Sequence, residues 1–181
     1  MASLPDSPLV TVDEYLNTSY RPDVEFVDGV LVERSMPTPV HGVFQALLAE
    51  YFRMYRGQLR FAVYLETRTQ IVERSRYRIP DVMLASLPIE RGRVITKVPW
   101  VVVEIQSPED RMPEQLRRFR DYVDLGVSFM ILLDPEQLIA WRYQRGSLVE
   151  TEFKELELPT GRMPFDSVAL FRKLQDELNE Q

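Results

Sequence analysis

WVVVEIQ, residues 100–106, is an apolar stretch interrupted only by Glu104 and Gln106. Such a run is typical of a strand inside a sheet that is covered on both faces. Because side chains alternate across a strand, Glu104 and Gln106 point to the same face. A buried acid is costly unless it is paired, hydrogen-bonded or bound to a metal ion. The stretch therefore predicts a central strand with a polar site at its end.

A second stretch, RIPDVMLAS at residues 78–86, contains another such acid. We expect one strand over residues 77–85, with Asp81 at the head of its apolar part. Neighbouring strands are about 4.8 Å apart, so Asp81 and Glu104 at matching heights would share one divalent cation. The alternative, from residue chemistry alone, is that each acid forms a salt bridge with one of the many arginines.

The rest of the chain predicts an α/β fold with a mixed β-sheet flanked by helices. Asp28-Gly29 between apolar alternations indicates an N-terminal hairpin over residues 24–34, and a C-terminal hairpin is expected around Arg145-Gly146. The segment from Trp100 to Leu133 fits a parallel crossover through a helix. A long helix should begin at Thr38 and stop at Gly57. The other helices are expected at 11–16, 113–125 and 166–180, and further strands at 60–66, 69–74, 127–134, 138–144 and 147–153.

Composition limits the class of protein. A length of 181 residues indicates one domain, 1–181, with residues 1–10 loosely held. The formal net charge of -6 requires any nucleic-acid contact to come from a local basic patch. Because the chain has no cysteine, disulfides and cysteine-based zinc sites are excluded. The N-terminus lacks a signal-peptide pattern and no stretch approaches the roughly 20 apolar residues of a membrane span, so we expect a cytoplasmic protein without a membrane partner.

Several segments in a fixed order carry a family resemblance. TVDEYL, VEFVDGVLVE, a His that opens the next helix, RIPDVMLAS, PWVVVEIQSPED, RRFRDYVDLGV and ILLDP together resemble the Uma-two family of restriction-endonuclease-like proteins. The resemblance runs from about Thr11 to Trp141. It implies a restriction-endonuclease-like core and a metal-dependent phosphodiesterase site. Pro80-Asp81 followed by Glu104-Ile105-Gln106 also looks like the PD-(D/E)xK signature of that nuclease superfamily.

The resemblance implies roles for individual residues. Asp81 and Glu104 match the two metal-binding acids, and the carbonyl of Ile105 is expected as a third oxygen ligand. Glu25 matches the family's Glu before the hairpin turn and is expected to contact the metal directly or through water; the alternative is an exposed hairpin residue. His41 matches the helix-opening His and is expected to touch a phosphate or orient an acid. Its alternative is a histidine that only packs or faces solvent.

The chain differs from the PD-(D/E)xK signature at the position of the positively charged side chain. Gln106 stands where the nuclease signature has Lys, and the family Lys falls instead four residues before Tyr122, at Arg118. Arginine can hold a phosphate or stabilise charge in the transition state, but its pKa excludes a role as general base. We expect Gln106 to orient the attacking water. Three neighbours would add nucleic-acid contacts, the alternative being a solvated helix face paired with nearby acids: Arg111, Arg117 and Arg120.

Three functions are compatible with this pattern. The first is a Mg²⁺-dependent or Mn²⁺-dependent endonuclease that hydrolyses DNA phosphodiester bonds, because carboxylate ligands favour these ions over zinc. The second is a catalytically weak or inactive nucleic-acid-binding member of the same fold. The third is a structural or partner-binding protein. A homodimer is expected by analogy, since many nucleases cut two strands with paired sites.

Overall fold

A computed structural model of the protein describes residues 9–179. Its helices are α1 (Val12–Asn17), α2 (Pro39–Leu59), α3 (Met112–Leu125) and α4 (Ser167–Asn179). Its strands are β1 (Val24–Val27), β2 (Val30–Glu33), β3 (Phe61–Leu65), β4 (Thr69–Val72), β5 (Arg76–Arg78), β6 (Val82–Ser86), β7 (Val101–Ile105), β8 (Phe129–Asp134), β9 (Ile139–Gln144), β10 (Ser147–Glu150), β11 (Glu155–Leu158) and β12 (Gly161–Pro164).

The central sheet has six strands in the order β10-β9-β8-β7-β6-β3. Strands β7 and β8 run parallel, and each of the other neighbouring pairs is antiparallel. Helix α3 connects β7 to β8, which confirms the predicted crossover. The expected mixed sheet is therefore present, with WVVVEIQ supplying a central strand.

Helices cover both faces of this sheet because side chains alternate along its strands. Val103 and Ile105 of β7 belong to the apolar cluster that contains residues of α2 and α4. Val102 belongs to the opposite cluster, with Phe119 and Tyr122 of α3. Glu104 has the same parity as Val102, so the fold directs it toward α3.

A second sheet of four strands, in the order β2-β1-β5-β4, corrects one prediction. The single strand expected over residues 77–85 is wrong, because Pro80 and Asp81 separate β5 from β6. Proline has no N–H to donate to a ladder, so the chain leaves the outer sheet there and enters the central one. Asp81 consequently lies at the junction between the two sheets.

Several element ends also differ from expectation. Helix α2 passes through Gly57 and ends at Leu59; the next residue, Arg60, is left-handed (φ 56°) and donates its N–H to the Arg56 carbonyl. A single glycine inside a packed helix costs only about 1 kcal/mol, so it need not stop the helix. The predicted strand over 147–153 ends at Glu150, and the hairpin of β11 and β12 was not predicted. Helix α3 ends at Leu125, immediately before Gly126, as expected.

The structure tests only in part the expectation of a loosely held N-terminus. Residues 1–8 and 180–181 lie outside the described range. Most of the segment 1–10, which is expected to be loosely held, therefore falls outside it. Val10 donates its N–H to the Gly29 carbonyl at 2.9 Å, so the chain is attached to the first hairpin from that point. Within the described residues, no helix combines the length and apolar character needed to cross a membrane.

Candidate functional site

Asp81 is buried and its two carboxylate oxygens have different partners. Oδ2 accepts the Ile105 N–H at 2.7 Å, and Oδ1 accepts Nη2 of Arg34 at 2.7 Å. Burial by itself raises the pKa of Asp81, but the His41 ring, Arg34 and the Ile105 N–H outweigh it, and the pKa lies below its ordinary value. Asp81 is therefore a buried, ionised carboxylate.

His41 approaches Asp81 from the first turn of α2. Thr38 caps this helix by accepting the His41 N–H at 3.1 Å, which fixes the start of the helix beside the sheet junction. The ring contacts Ser107 Oγ through Nδ1 at 3.2 Å. Nε2 lies 3.6 Å from Asp81 Oδ1, too far for a hydrogen bond, and has no other partner within residues 9–179. His41 neither faces solvent nor merely packs.

Glu66 completes a group of potential metal ligands. The register of β3 and β6 pairs Leu65 with Val82, so Glu66 follows one strand where Asp81 precedes the other. The Glu66 N–H donates to the Asp81 carbonyl at 3.2 Å. One ligand atom from each of His41, Glu66 and Asp81 lies within 4.8 Å of the other two. We call these three residues, together with Arg34, the Asp81 cluster.

A small cavity of about 10 Å³ opens beside this cluster, enough for about one water molecule. Its lining includes Asp81, His41 and Arg34, with Ile105 at the end of β7 and Arg118 from α3. Glu66 also lines a wider cleft of about 520 Å³ that contains Arg68 and Arg93. The cluster thus adjoins both a confined polar space and a cleft large enough for part of a polymer.

Glu104 lies nearby but is bound to different partners. Tyr122 donates its hydroxyl to Oε1, and Arg118 Nη1 lies 3.3 Å from Oε2. Burial and the charge of Asp81 raise the pKa of Glu104 to about 8. Near neutral pH, Asp81 is therefore ionised and Glu104 is predominantly protonated. The charge of Asp81 affects Glu104, which means that the two acids are electrostatic neighbours.

Glu25 belongs to a buried network of ion pairs. Its carboxylate accepts Arg78 Nη1 at 2.7 Å and the Ile79 N–H at 3.0 Å. Arg78 also binds Asp121 Oδ2 through Nη2 at 2.6 Å. Arg118 Nη2 lies 3.6 Å from Glu25, which connects this network to Glu104. The members of this arginine network are Glu25, Arg78, Asp121, Arg118, Glu104 and Tyr122. Glu25 is fully buried, not an exposed hairpin residue.

Gln106 forms hydrogen bonds to the loop that follows β7. Its Nε2 lies 3.2 Å from the Ser107 carbonyl and 3.3 Å from the Asp110 carbonyl. Asp110 in turn accepts the Ser107 N–H at 2.8 Å and the Ser35 hydroxyl at 2.6 Å. Oε1 of Gln106 is buried and has no partner in the described part of the chain. The amide nitrogen is therefore engaged, and only Oε1 remains for the predicted contact with water.

The exposed arginines of α3 are not paired as the alternative expectation had it. Arg111, Arg117 and Arg120 are exposed and form no ion pair with any residue from 9 to 179. Two of the acids that could have neutralised them have other partners, since Asp121 binds Arg76 and Arg78, and Asp110 accepts hydrogen bonds from Ser35 and Ser107. Arg117 and Arg118 line one cleft of about 170 Å³ between α3 and the first hairpin. Arg117 and Arg120 are therefore exposed cations outside ion pairs, on a helix that also exposes Glu114 and Asp124.

The donor set of the Asp81 cluster fits a divalent cation. Two carboxylates and one imidazole are common metal ligands, and the buried His41 Nε2 has no competing partner among residues 9–179. Ser107 Oγ and the Ile105 N–H hold the other ring nitrogen and the other Asp81 oxygen, as outer-sphere partners of metal ligands do. At Ile105 it is the N–H that contacts Asp81.

Sequence patterns anticipated some members of this site and missed others. Asp81, His41, Glu25, Glu104 and Arg118 converge around the junction of the two sheets. The patterns missed Arg34 and Glu66, whose contacts depend on how β2 and β3 are placed against β6. An arginine after a hairpin and a glutamate after a strand carry no local signal of such a role.

Comparisons with known proteins agree with this architecture. A family model described as "Uma2: Putative restriction endonuclease" matches residues 12–170. A crystal structure described as "a putative nuclease belonging to DUF820 from Anabaena variabilis ATCC 29413" is similar with a TM-score of 0.76 and 20% identity, covering 91% of this chain and 99% of that one. That likeness confirms the expected restriction-endonuclease-like fold.

Other comparisons add little. A chain of a structure described as "DrdV-DNA complex" has 16% identity, covers 76% of this chain and 11% of its own, and has a TM-score of 0.37, which is too low to bear on the fold. No curated protein matches the chain.

Proposed function

The chain belongs to the Uma2 family, whose model covers most of its length, and from that premise we propose that it is a Mg²⁺-dependent endonuclease that hydrolyses DNA phosphodiester bonds at the Asp81 cluster. Mn²⁺ is expected to substitute for Mg²⁺. One observation carries the proposal: an ionised, buried Asp81 faces an unpartnered His41 nitrogen beside a water-sized cavity, as judged within the described residues. Buried polar atoms are normally hydrogen-bonded, so an unpartnered nitrogen beside a buried anion favours a site that a ligand completes.

The acids are assigned to the metal. We propose that Asp81 and Glu104 bind it, with the Ile105 carbonyl as a further oxygen and Glu25 in support through Arg118. A bound divalent cation supplies a water of lowered pKa and polarises the phosphate. Glu104 can join only by releasing its proton and the Tyr122 hydroxyl, because the pKa of Glu104 is raised to about 8 by burial and by Asp81.

The cations are assigned to the phosphate. Arg118 lines the cavity and remains charged, since Glu25 and Glu104 raise its pKa despite burial. Arg34, also at the cavity, would contact the scissile phosphate once an ion replaces it on Asp81. His41 and Gln106 are proposed to position the attacking water, His41 through its contact with Asp81 and Gln106 through Oε1.

DNA would reach these residues along positively charged surface. The net charge of -6 repels a polyanion in general, so association must depend on local patches. We assign phosphate contacts to Arg111, which immediately precedes α3, and to Arg117 and Arg120 on its exposed face; Arg117 also lines the cleft of about 170 Å³ that contains Arg118. Such contacts position a duplex without reading its sequence.

A second candidate function is a nucleic-acid-binding protein of the same fold with weak or no catalysis. The observation that favours it is that the positively charged side chains of the site are arginines and not lysines. The chain has three lysines, and those side chains contact Ser86 and Pro88, Asp166, and Glu50 rather than any acid of the site. Arginine replaces the charge of the signature lysine but not its capacity to transfer a proton.

The test is a cleavage assay with the full chain, Mg²⁺ or Mn²⁺, and single-stranded, duplex and branched DNA or RNA. We expect cleavage of DNA, and a loss of at least about 100-fold in Asp81→Asn, because the buried anion that holds the ion is removed. Glu104→Gln should also lose cleavage. Asp176→Asn, a change of an exposed acid on α4, is the matched control and should cleave normally.

Folding and binding measurements separate the outcomes. Each variant is compared with the unmodified chain by circular dichroism and thermal unfolding, so that loss of cleavage is not loss of fold. Binding without cleavage of any of these substrates would favour the second candidate. Failure to bind nucleic acid at low salt would favour a partner-binding protein instead.

A further inference from the structure

The two ring nitrogens of His41 are in different situations. Nδ1 contacts Ser107 Oγ at 3.2 Å, and metal-bound histidines typically donate their other N–H to such a partner. In the tautomer that keeps the proton on Nδ1, Nε2 presents its lone pair toward Asp81 Oδ1 at 3.6 Å, and Nε2 has no hydrogen-bond partner elsewhere in residues 9–179. A nitrogen lone pair and a carboxylate that face the same space can act as two ligands of one cation.

Glu66 closes this arrangement from the other side. Its N–H donates to the Asp81 carbonyl, and the same carbonyl accepts Gln45 Nε2 at 2.9 Å, so the Glu66 backbone is held close to Asp81. Three ligand atoms on one ion are separated by at most about 4.4 Å, twice a ligand distance of about 2.0–2.2 Å. The three ligand atoms lie within 4.8 Å of one another, so at most a small shift of the half-exposed Glu66 side chain would bring them to this spacing.

Arg34 marks the same position as a cation site. Its guanidinium lies 2.7 Å from Asp81 Oδ1 and 3.7 Å from Glu66, while its Nε is buried with no partner in the described range. Glu104 is different, because Tyr122 and Arg118 engage both of its oxygens. The side of Asp81 that faces His41 and Glu66 is therefore the more accessible one for an ion.

We infer that Asp81, His41 and Glu66 together bind the divalent cation, and that the imidazole makes this site bind Mn²⁺ more tightly than the Mg²⁺ that it also accepts. Mg²⁺ prefers carboxylate oxygens and water, whereas imidazole favours transition metals. Arg34 is a positioning residue that competes with the ion for Asp81. The inference deepens the proposed function and rests on it for a role in hydrolysis, but ion binding is measured without nucleic acid, so the two can fail separately.

The experiment is a Mn²⁺ titration of the untagged, chelator-treated full chain, followed by electron paramagnetic resonance. We expect one bound Mn²⁺ with nitrogen hyperfine coupling from a directly bound imidazole. His41 is the only histidine in the chain, so that coupling identifies it. Competition with Mg²⁺ should show a preference of at least about tenfold for Mn²⁺, which His41→Gln removes along with the coupling.

Variants test the remaining ligands. Glu66→Gln should weaken Mn²⁺ binding at least about tenfold, and Arg34→Met should strengthen it because a competing charge is lost. Glu73→Gln, an exposed glutamate in the turn after β4, is the matched control and should bind as the unmodified chain does. The coupling in the unmodified chain remains decisive even if a variant fails to fold.

Three results would overturn the inference. They are no Mn²⁺ binding, binding without nitrogen coupling, and binding that survives Glu66→Gln but is lost in Glu104→Gln. Nitrogen-coupled Mn²⁺ in a protein that cleaves no nucleic acid would leave this site in place and would refute the proposed endonuclease activity alone.

Discussion

The Asp81 cluster and the arginine network are both buried and charged, but they differ in how completely their hydrogen bonds are satisfied. In the network, Arg78 binds Glu25 and Asp121 with contacts of 2.6–2.7 Å. In the cluster, His41 Nε2 and Arg34 Nε have no partner among the described residues. Satisfied buried charges are expected where they hold elements together, whereas unsatisfied ones indicate a site that a ligand completes. The network therefore supports the sheets, and the cluster is the candidate for chemistry.

Among the variants that test this difference, Arg78→Met should show the largest change in unfolding free energy. The change leaves Glu25 and Asp121 buried without their common partner, so we expect the free energy of unfolding to fall by about 3–5 kcal/mol. Urea unfolding measures it. Arg34→Met is the matched change in the cluster, where Asp81 keeps the Ile105 N–H, and should cost about 1–3 kcal/mol. Equal losses in the two variants would remove the distinction between the regions.

Glu104 stands between the two regions and gives a pH test. Its pKa is raised from 4.5 to about 8 by burial and by Asp81, so the protonated form stabilises the fold. This stabilisation is complete below the ordinary pKa and is lost as pH rises toward about 8, with a limiting slope of about 1.4 kcal/mol per pH unit.

Glu104→Gln cannot ionise, and its unfolding free energy in the presence of a chelator should therefore decline less between pH 4.5 and 8 than that of the unmodified chain. Urea unfolding across this pH range measures the difference. Parallel pH profiles for the two proteins would contradict the assignment of Glu104 as the protonated acid.

Thr38→Ala tests how the chain holds His41 in the cluster. Thr38 accepts the His41 N–H at 3.1 Å, and loss of this cap should cost about 1 kcal/mol in unfolding free energy. Thr11→Ala removes the corresponding cap of α1, where Thr11 accepts the Glu14 N–H at 3.2 Å. Both variants should lose stability, but only Thr38→Ala should weaken Mn²⁺ binding. Equal Mn²⁺ affinity in the two would mean that the cap does not position the ring.

The features that the sequence could predict are those that depend mainly on residues close to one another in the chain. The first hairpin, the crossover through α3 and the cap at Thr38 depend on neighbouring residues, and the structure has them all. Acids within apolar runs predicted Asp81 and Glu104 as candidate site residues, and the resemblance to a family added Arg118. Propensity could not show that Pro80 divides one apolar run between two sheets, because that outcome depends on which strands lie on either side.

The missed site residues have a similar cause. Arg34 and Glu66 acquire their partners only when β2 and β3 are placed beside Asp81, far away in sequence. The raised pKa of Glu104 likewise depends on burial under α3 and on the charge of Asp81. No single segment encodes these effects. Packing of separate segments determines them, so they became visible only in the structure.

Substitutions on the exposed face of α3 should give the smallest changes in stability. They test whether the difference between the Asp81 cluster and the arginine network is a property of buried groups alone. Arg117→Gln and Arg120→Gln should each alter the unfolding free energy by less than about 0.5 kcal/mol, because exposed side chains outside ion pairs contribute little. If these residues contact phosphates, each change should lower the slope of DNA affinity against salt concentration by about 1.

Arg145→Gln, an exposed change at the turn between β9 and β10, is the matched control. It alters the net charge by the same amount as each α3 variant but at a position in a different element. Because a nonspecific field effect depends on total charge and a contact depends on place, only the α3 variants should reduce the slope. Equal reductions in all three would assign DNA association to the overall charge and remove α3 from the proposed interface.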